Sequence, residues 1–366
     1  MKKIVFITNI LRQPRCIRRI NDFISRGYEV KVYGFDRHGD NRILPNFEYE
    51  CLGVNNNTES YFKRLLKMIK SIDELLKKEE NNSLFYIFSL DVALASLLAN
   101  RNIKFCYEIS DLMELQVNNK LISSLLVRAN RWIIKRSRLN IYTSEGFVNY
   151  LSPRGRFLEK TIILPNKLSK ESEKLQEYVK NPIDIDNIRF GFTGAIRTET
   201  LYNFIDTIGK LEKHEVHLYG IFTDENNGKY SIKELVDKYR NVYYHGSFMN
   251  PHDLPKIYSN FDLVLCYYYS SRNDLYLEPN KLYEAIYYRC PIIVADGTFV
   301  GEKVKKSNIG YTISTAGKTS LIELVNSINK QNYQDKLKAL ELIPREWALD
   351  NPRPLFDKIE FMMNVK

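Results

Sequence analysis

Short apolar runs rich in β-branched and aromatic residues alternate with longer amphipathic segments along nearly the whole chain, and this alternation constrains the fold more than any other feature. Lys3 to Thr8 predicts a buried strand, Cys16 to Arg26 a helix, and Glu29 to Tyr33 a second strand after the turn at Gly27, which together make a βαβ unit. The pattern continues with a helix from Tyr61 to Lys78, a strand at Leu84 to Phe88, a helix after Asp91, and a strand at Lys104 to Glu108. A helical region over 119–137 and strands at Leu139 to Thr143 and Ile162 to Leu164 complete the first series. Strands separated by helices need crossover connections, so the pattern argues for a parallel sheet covered by helices on both faces.

A second series begins at Ile188, with strands ending at Thr193, Tyr219, Tyr244, Tyr267 and Ala295 and helices predicted over 200–212, 231–239, after Pro251, and over 281–288. The expected class is therefore α/β, with two doubly wound Rossmann-like domains. Residues 1–170 form the first and 188–340 the second, with a polar linker over 171–187 and an amphipathic helical tail over 341–366. Ligands of open α/β sheets bind at the carboxyl ends of the strands, so two such domains facing each other are expected to leave a binding cleft.

At 366 residues and 44% hydrophobic content, the chain is long enough to bury two cores. No run approaches the roughly 18 uncharged apolar residues of a membrane span. The apolar stretch after Met1-Lys2-Lys3 is too short for a signal peptide, so a cytoplasmic location is expected. Cys16, Cys51, Cys106, Cys266 and Cys290 lack C-x-x-C spacing and sit mostly in apolar runs, which favours buried thiols over disulfides or metal ligands. The net charge of +10 is unevenly spread. Residues 1–180 hold 31 Lys and Arg against 20 Asp and Glu, a balance of +11, and the remainder holds 23 against 24, a balance of −1. A basic first half suits a phosphate-bearing substrate, an anionic bilayer or nucleic acid, and charge alone does not choose among them.

Within the second series, Leu277-Glu278-Pro279-Asn280-Lys281-Leu282-Tyr283-Glu284-Ala285-Ile286 followed by Cys290 to Ala295 reads as loop, helix start and buried strand. Pro279 suits the entry to a helix, and the N–H groups of Asn280, Lys281 and Leu282 are then expected to point outward with the positive end of the helix dipole behind them, a site for phosphate.

This stretch resembles the donor-sugar motif of family 4 glycosyltransferases of the GT-B fold, in the form common among bacterial capsule and O-antigen enzymes. Phe190-Gly191-Phe192-Thr193-Gly194, Val242-Tyr243-Tyr244-His245-Gly246, and Leu254 to Tyr258 leading into Phe261 to Leu265 follow the same family in the same order. The first half fits more loosely, through Lys3 to Asn9, Gly27 to Val32 and Ile163-Leu164-Pro165-Asn166. In such enzymes the C-terminal tail crosses back to the first domain.

The resemblance assigns roles that the residues alone leave open. Glu284 is either a solvated glutamate on an amphipathic helix or, by resemblance, the holder of the ribose hydroxyls. The family's partner carboxylate eight residues earlier is replaced by Tyr276, and Glu278 is the nearest carboxylate to the donor sugar. Asn280 and Lys281 are either helix-start residues or binders of a diphosphate, since a first-turn Lys opposes the dipole unless an anion lies beside it. Arg197 falls where the family has a phosphate-binding Arg, while the usual Lys five residues on is Tyr202 and Lys281 is the candidate replacement. Gly191 and Gly194 either permit a tight turn or let a pyrophosphate approach the backbone. Tyr219-Gly220 and His245-Gly246 are either turn residues or, by resemblance, the border of the base pocket. In the first domain, Glu108 and Asp111 lie at a strand end where the family places a His or acidic residue near the transferred sugar, with helix capping by Ser110 or Asp111 as the alternative. Asn9, Arg12 and Arg15 stand where the family has glycines, which suggests a charged acceptor or a plain basic surface.

The resemblance implies a retaining, metal-independent hexosyltransferase that takes a sugar from a nucleotide-sugar, UDP first and GDP second, to a growing surface polysaccharide on a lipid diphosphate. No cofactor or metal is expected, because no D-x-D triplet flanked by strands and no His and Cys cluster is present, and no recognisable motif supports nucleic acid as a partner. A nucleotide-sugar epimerase and an inactive glycosyltransferase-like scaffold are the alternatives. The segment 121–138 interleaves apolar residues and Trp132 with Arg128, Arg131, Lys135, Arg136 and Arg138, and 61–70 does the same with Lys63, Arg64, Lys67 and Lys70, so these helices are either core-packed with basic outer faces or interfacial helices of a protein peripheral to the inner face of the cytoplasmic membrane.

Overall fold

The computed structural model describes residues 3–364 apart from 38–43, 56–58, 80–82, 153–154, 181, 223–230, 270 and 315–318, so Asn181 of the expected linker lies outside the described residues. The chain divides into two compact units, residues 1–165 with 351–366, and residues 166–350. The expected linker is thus part of the second unit, where 170–174 forms a single helical turn.

In the first unit, β1 (Lys3–Thr8), β2 (Glu29–Arg37), β3 (Glu50–Asn55), β4 (Leu84–Phe88), β5 (Phe105–Ile109), β6 (Leu139–Tyr142) and β7 (Thr161–Ile163) form a parallel sheet of order β3-β2-β1-β4-β5-β6-β7. The crossovers carry α1 (Pro14–Ile24), α2 (Tyr61–Lys78), α3 (Leu90–Ala99), α4 (Met113–Gln116), α5 (Lys120–Arg136) and α6 (Glu145–Leu151). Strand β3 has no strong apolar run because it is an edge strand with half its residues exposed.

On α5, Asn119 caps the first turn by accepting from the N–H groups of Leu121 and Ile122. Trp132 is half-buried and Arg131 donates to the carbonyls of Tyr150 and Leu151, so neither belongs to a free apolar stripe. The apolar residues that do face water are Leu121, Ile122 and Leu125.

The second unit repeats the plan. Strands β8 (Arg189–Ile196), β9 (Glu215–Phe222), β10 (Val242–Tyr244), β11 (Leu263–Cys266), β12 (Ile292–Ala295) and β13 (Gly310–Ile313) are ordered β10-β9-β8-β11-β12-β13, all parallel. Its helices are α7 (Glu199–Gly209), α8 (Ile232–Lys238), α9 (Leu254–Ser259), α10 (Asn280–Tyr287), α11 (Phe299–Ser307), α12 (Thr319–Ser327) and α13 (Lys330–Glu341). The chain order reverses between β8 and β11, which is the switch point where an open sheet leaves a crevice at its carboxyl edge.

The tail is not one helix. Pro344 and Pro352 separate α13 from α14 (Arg353–Asn364), because a proline restricts the residue before it and cannot continue a helix. The last helix packs on the first unit, where Phe356 meets Phe23 with ring centroids 4.6 Å apart and lies under the Arg26 guanidinium at 4.0 Å.

Gly191 lies in the middle of β8, and a Cβ there would fall 2.1 Å from the Phe261 ring. It is a packing glycine rather than part of a phosphate loop, which corrects its expected role. Gly191→Ala should therefore cost about 1–3 kcal/mol through overpacking, read as a lower urea midpoint at unchanged m-value. An unshifted midpoint would contradict this packing.

Candidate functional site

The carboxyl ends of β8, β9 and β10 bring three glycines together. The Gly220 N–H donates to the Gly246 carbonyl at 2.7 Å, and a Cβ on Gly220, whose φ is +146°, would lie 1.7 Å from the Gly194 carbonyl oxygen. Only glycine fits there. Gly194, at φ +121°, leaves room in turn for the Lys281 ammonium, 3.3 Å from where its own Cβ would be.

Lys281 reaches this point from the first turn of α10. That helix starts after Pro279 with no side-chain cap, and the N–H groups of Asn280 and Lys281 precede the first intrahelical bond. The N–H of Leu282, expected to point outward, instead donates to the Pro279 carbonyl at 3.1 Å. Lys281 is only 5% exposed; its Nζ donates to the Tyr268 hydroxyl at 2.6 Å and lies 4.4 Å from the Phe192 ring centroid. Burial works against the ammonium, but Tyr268, Cys266 and Glu284 outweigh it and hold the Lys281 pKa above its ordinary value, so the side chain is a cation at neutral pH.

Glu284 is 3% exposed and is not a solvated helix residue. Its Oε2 accepts from the Tyr258 hydroxyl at 2.6 Å and the Thr193 hydroxyl at 3.3 Å, and its Oε1 accepts from Asn280 Nδ2 at 3.1 Å. Glu278 is also buried. Its Oε1 accepts from Lys303 at 2.8 Å and from the Tyr283 hydroxyl, while its Oε2 has no hydrogen-bond partner.

His245 stacks on Tyr219, with centroids 4.2 Å apart, and its Nε2 lies 3.0 Å from Nδ1 of His217. Glu215 accepts from His217 Nε2 at 2.9 Å, which makes His217 Nδ1 the acceptor and His245 Nε2 the donor. Burial first, then His217, pulls the His245 pKa below the usual imidazole value and keeps it neutral. Arg197 lies exposed just beyond β8.

In the first unit two expected roles are corrected. Glu108 has no exposed surface; it is ion-paired to Arg15 at 3.3 Å and Arg19 at 3.4 Å and accepts from the Tyr86 hydroxyl. It therefore meets no sugar, and Arg15, expected to hold an acceptor, is its counter-ion. The cause is that every residue of β5 is buried, so a carboxylate there must be neutralised from α1. Arg12 pairs with Asp36 at 3.3 Å, Asn9 is half-buried in the turn after β1, and Asp111 is exposed after β5.

Thr193 and Tyr258, which the motifs contain without a role, and Tyr268, His217 and Lys303, which the sequence did not single out, complete these clusters. Tyr268 follows the apolar strand β11 by two residues, and that is its only sequence signal.

No protein-family model matches the chain. It is 22% identical to the succinoglycan biosynthesis protein ExoL of Rhizobium meliloti (strain 1021) over 376 residues, covering 96% of this chain and 91% of that protein. Sucrose-phosphate synthase from Thermosynechococcus elongatus superposes with a TM-score of 0.70 at 12% identity, covering 99% of this chain and 98% of that one. Anabaena Alr3699/HepE, solved with UDP and glucose, superposes with a TM-score of 0.69 at 16% identity over the full length of both chains. A UDP-N-acetylglucosamine 2-epimerase shares the architecture, with a TM-score of 0.62 at 12% identity over 100% of this chain and 98% of that one. The chain has the GT-B fold of these glycosyltransferases, with two parallel-sheet Rossmann-like units.

Glu284→Gln turns an acceptor toward groups that already donate, so it should lower ligand-free stability by about 1–3 kcal/mol. Urea denaturation checks this, and an unchanged free energy would remove Glu284 from the centre of the network.

Proposed function

We propose that the chain is a retaining, metal-independent hexosyltransferase that moves a sugar from a UDP-sugar to a growing surface polysaccharide, of capsule or O-antigen type, carried on a lipid diphosphate. One observation carries this reading: a buried lysine cation and the uncapped start of α10 meet at Gly194, beside the switch point of a parallel sheet. Fixed positive charge aimed at one point is what a leaving diphosphate requires, and it acts without reorganisation during the reaction. In this reading Arg197, exposed just beyond β8, adds to that charge. Glu284 sets the helix start and retains a lone pair on Oε1 for a ribose hydroxyl. The Tyr219 and His245 stack offers an aromatic face for a base. The UDP and glucose bound by HepE and the polysaccharide role in the name of ExoL support the donor and product classes. Among the described residues no group of three or more His, Cys, Asp or Glu is placed to hold a metal.

Calorimetry against UDP, GDP, ADP and their sugars tests the donor site. Lys281→Met should weaken UDP binding by about 1.5–3 kcal/mol, roughly 10- to 150-fold, as expected for a charge-assisted hydrogen bond. Turnover should persist in excess EDTA. Equal UDP affinity in Lys281→Met would refute the site, and sugar interconversion without acceptor would replace transfer with epimerisation.

We also propose that the first unit rests on the anionic inner face of the cytoplasmic membrane. No helix among the described residues is long and apolar enough to cross a membrane. Helices α2 and α5 both pack on α3 and expose Phe62, Leu66, Leu121, Ile122 and Leu125 beside Lys63, Lys67, Lys70, Lys120 and Arg128. Apolar side chains flanked by cations suit a phospholipid interface, each cation adding about 1 kcal/mol. The protein should co-sediment with anionic vesicles, less so as salt rises, and much less when Lys63, Lys67, Lys70 and Arg128 are neutralised together. Equal binding by the neutralised variant would end this reading.

A further inference from the structure

Strands β8 and β11 flank the switch point of the second sheet, and the loop after β11 carries Tyr268. The N–H of Tyr268 donates to the Cys266 carbonyl at 3.1 Å, and its half-buried ring packs against both apolar cores of the unit, so its position is fixed from two sides. From there its hydroxyl meets the Lys281 ammonium at 2.6 Å, beside Gly194 at the end of β8.

An ammonium only donates, so the Tyr268 oxygen is the acceptor in this bond and its own proton is left for another partner. Among the described residues, neither that proton nor the two remaining protons of the ammonium meet an oxygen or nitrogen acceptor; the ammonium's other near neighbour is the Phe192 ring. Burial pushes the Tyr268 phenol above its ordinary pKa, against the pull of Lys281, so the proton stays on at neutral pH. A cation that is 5% exposed with protons unmet is costly, and a phenol that accepts from a cation becomes a stronger donor. Three protons on two adjoining polar atoms are thus left for one acceptor, and a phosphate, with several anionic oxygens, satisfies them together.

We infer, on the donor-site reading above, that Tyr268 is a further diphosphate-binding residue, its hydroxyl accepting from Lys281 and donating to the same phosphate that Lys281 meets. It also holds the ammonium in its charged form. Burial works against the Lys281 cation, and Tyr268 is first among the groups that oppose it, ahead of Cys266 on β11 and Glu284 on its own helix, while Phe192 and Gly194 of β8 carry no charge. Without the Tyr268 hydroxyl the ammonium therefore gives up its proton at lower pH.

Calorimetric titration of UDP into the full chain, from neutral to alkaline pH, tests this role. Tyr268→Phe keeps the ring between the two cores and should weaken UDP binding about tenfold at neutral pH, with the alkaline loss of affinity starting at lower pH than in the parent. The phosphate itself, with its last pKa at about 6, does not titrate in that range. Added to Lys281→Met, the same substitution should cost a further loss of about threefold, because a phenol without the ammonium is a weaker donor. The double variant leaves no buried ammonium unmatched, so it keeps the test decisive even if Tyr268→Phe alone folds poorly. With the donor site standing, meaning that the parent binds UDP and Lys281→Met binds it less well, no loss on adding Tyr268→Phe in either background, or an unmoved alkaline limb in Tyr268→Phe, overturns the role of Tyr268 alone. No binding by the parent, or equal binding in Lys281→Met, removes the donor site and Tyr268 with it.

Discussion

A carboxylate sealed from water has to be met by donors, and at Glu284 that requirement organises the second unit. Helix α10 is buried along almost its whole length, and hydrophobic burial is non-directional, so apolar contacts alone leave its axial position loosely specified. Hydrogen bonds supply the direction. Thr193 comes from the end of β8, Tyr258 from α9 and Asn280 from the first turn of α10 itself, so one carboxylate sets the helix start against the switch point. The position of Lys281 against Gly194 follows from that, one residue along the same turn.

The first unit solves a similar problem with opposite chemistry. Glu108 is as deeply buried as Glu284 and is likewise met by a tyrosine, Tyr86, but its remaining partners are Arg15 and Arg19 of α1. Full neutralisation leaves Glu108 as a structural ion cluster that ties α1 to β5. Glu284 is met by the neutral groups of Thr193, Tyr258 and Asn280, with no ion pair. The same residue type at a strand-end level of two similar sheets thus serves anchoring in one and site assembly in the other, and the difference lies in what the adjacent helix offers.

Much of this architecture is legible in the sequence because central strands of a parallel sheet are apolar on both faces and so stand out as short runs. Lys3–Thr8, Leu84–Phe88 and Ile292–Ala295 appear where such runs predict them. The edge strands β3 and β13 carry weaker signals: half of β3 is exposed, and β13 is a four-residue strand, Gly310–Ile313. The Pro279 to Glu284 segment is legible for a different reason, since a helix start with a misplaced lysine is a local anomaly. By contrast, nothing local marks Thr193 as a partner of Glu284, 91 residues away, or Arg19 as a partner of Glu108, 89 residues away.

The sequence by itself determined what is periodic or short-range: two alternating α/β series, the proline entry to α10, the basic first half, and thiols outside any disulfide, all five free and four buried, with Cys51 exposed against expectation. The tertiary structure alone decided which charged groups face a ligand and which neutralise one another. It turned Arg15 and Glu108 from two separate site candidates into one ion pair, made Gly191 a seat for the Phe261 ring, and divided the tail between the two units after Asp350. The physical reason is that a residue's propensity is set by its neighbours along the chain, whereas the state of a buried charge is set by whatever the fold brings within about 4 Å of it, and that distance takes no account of sequence separation.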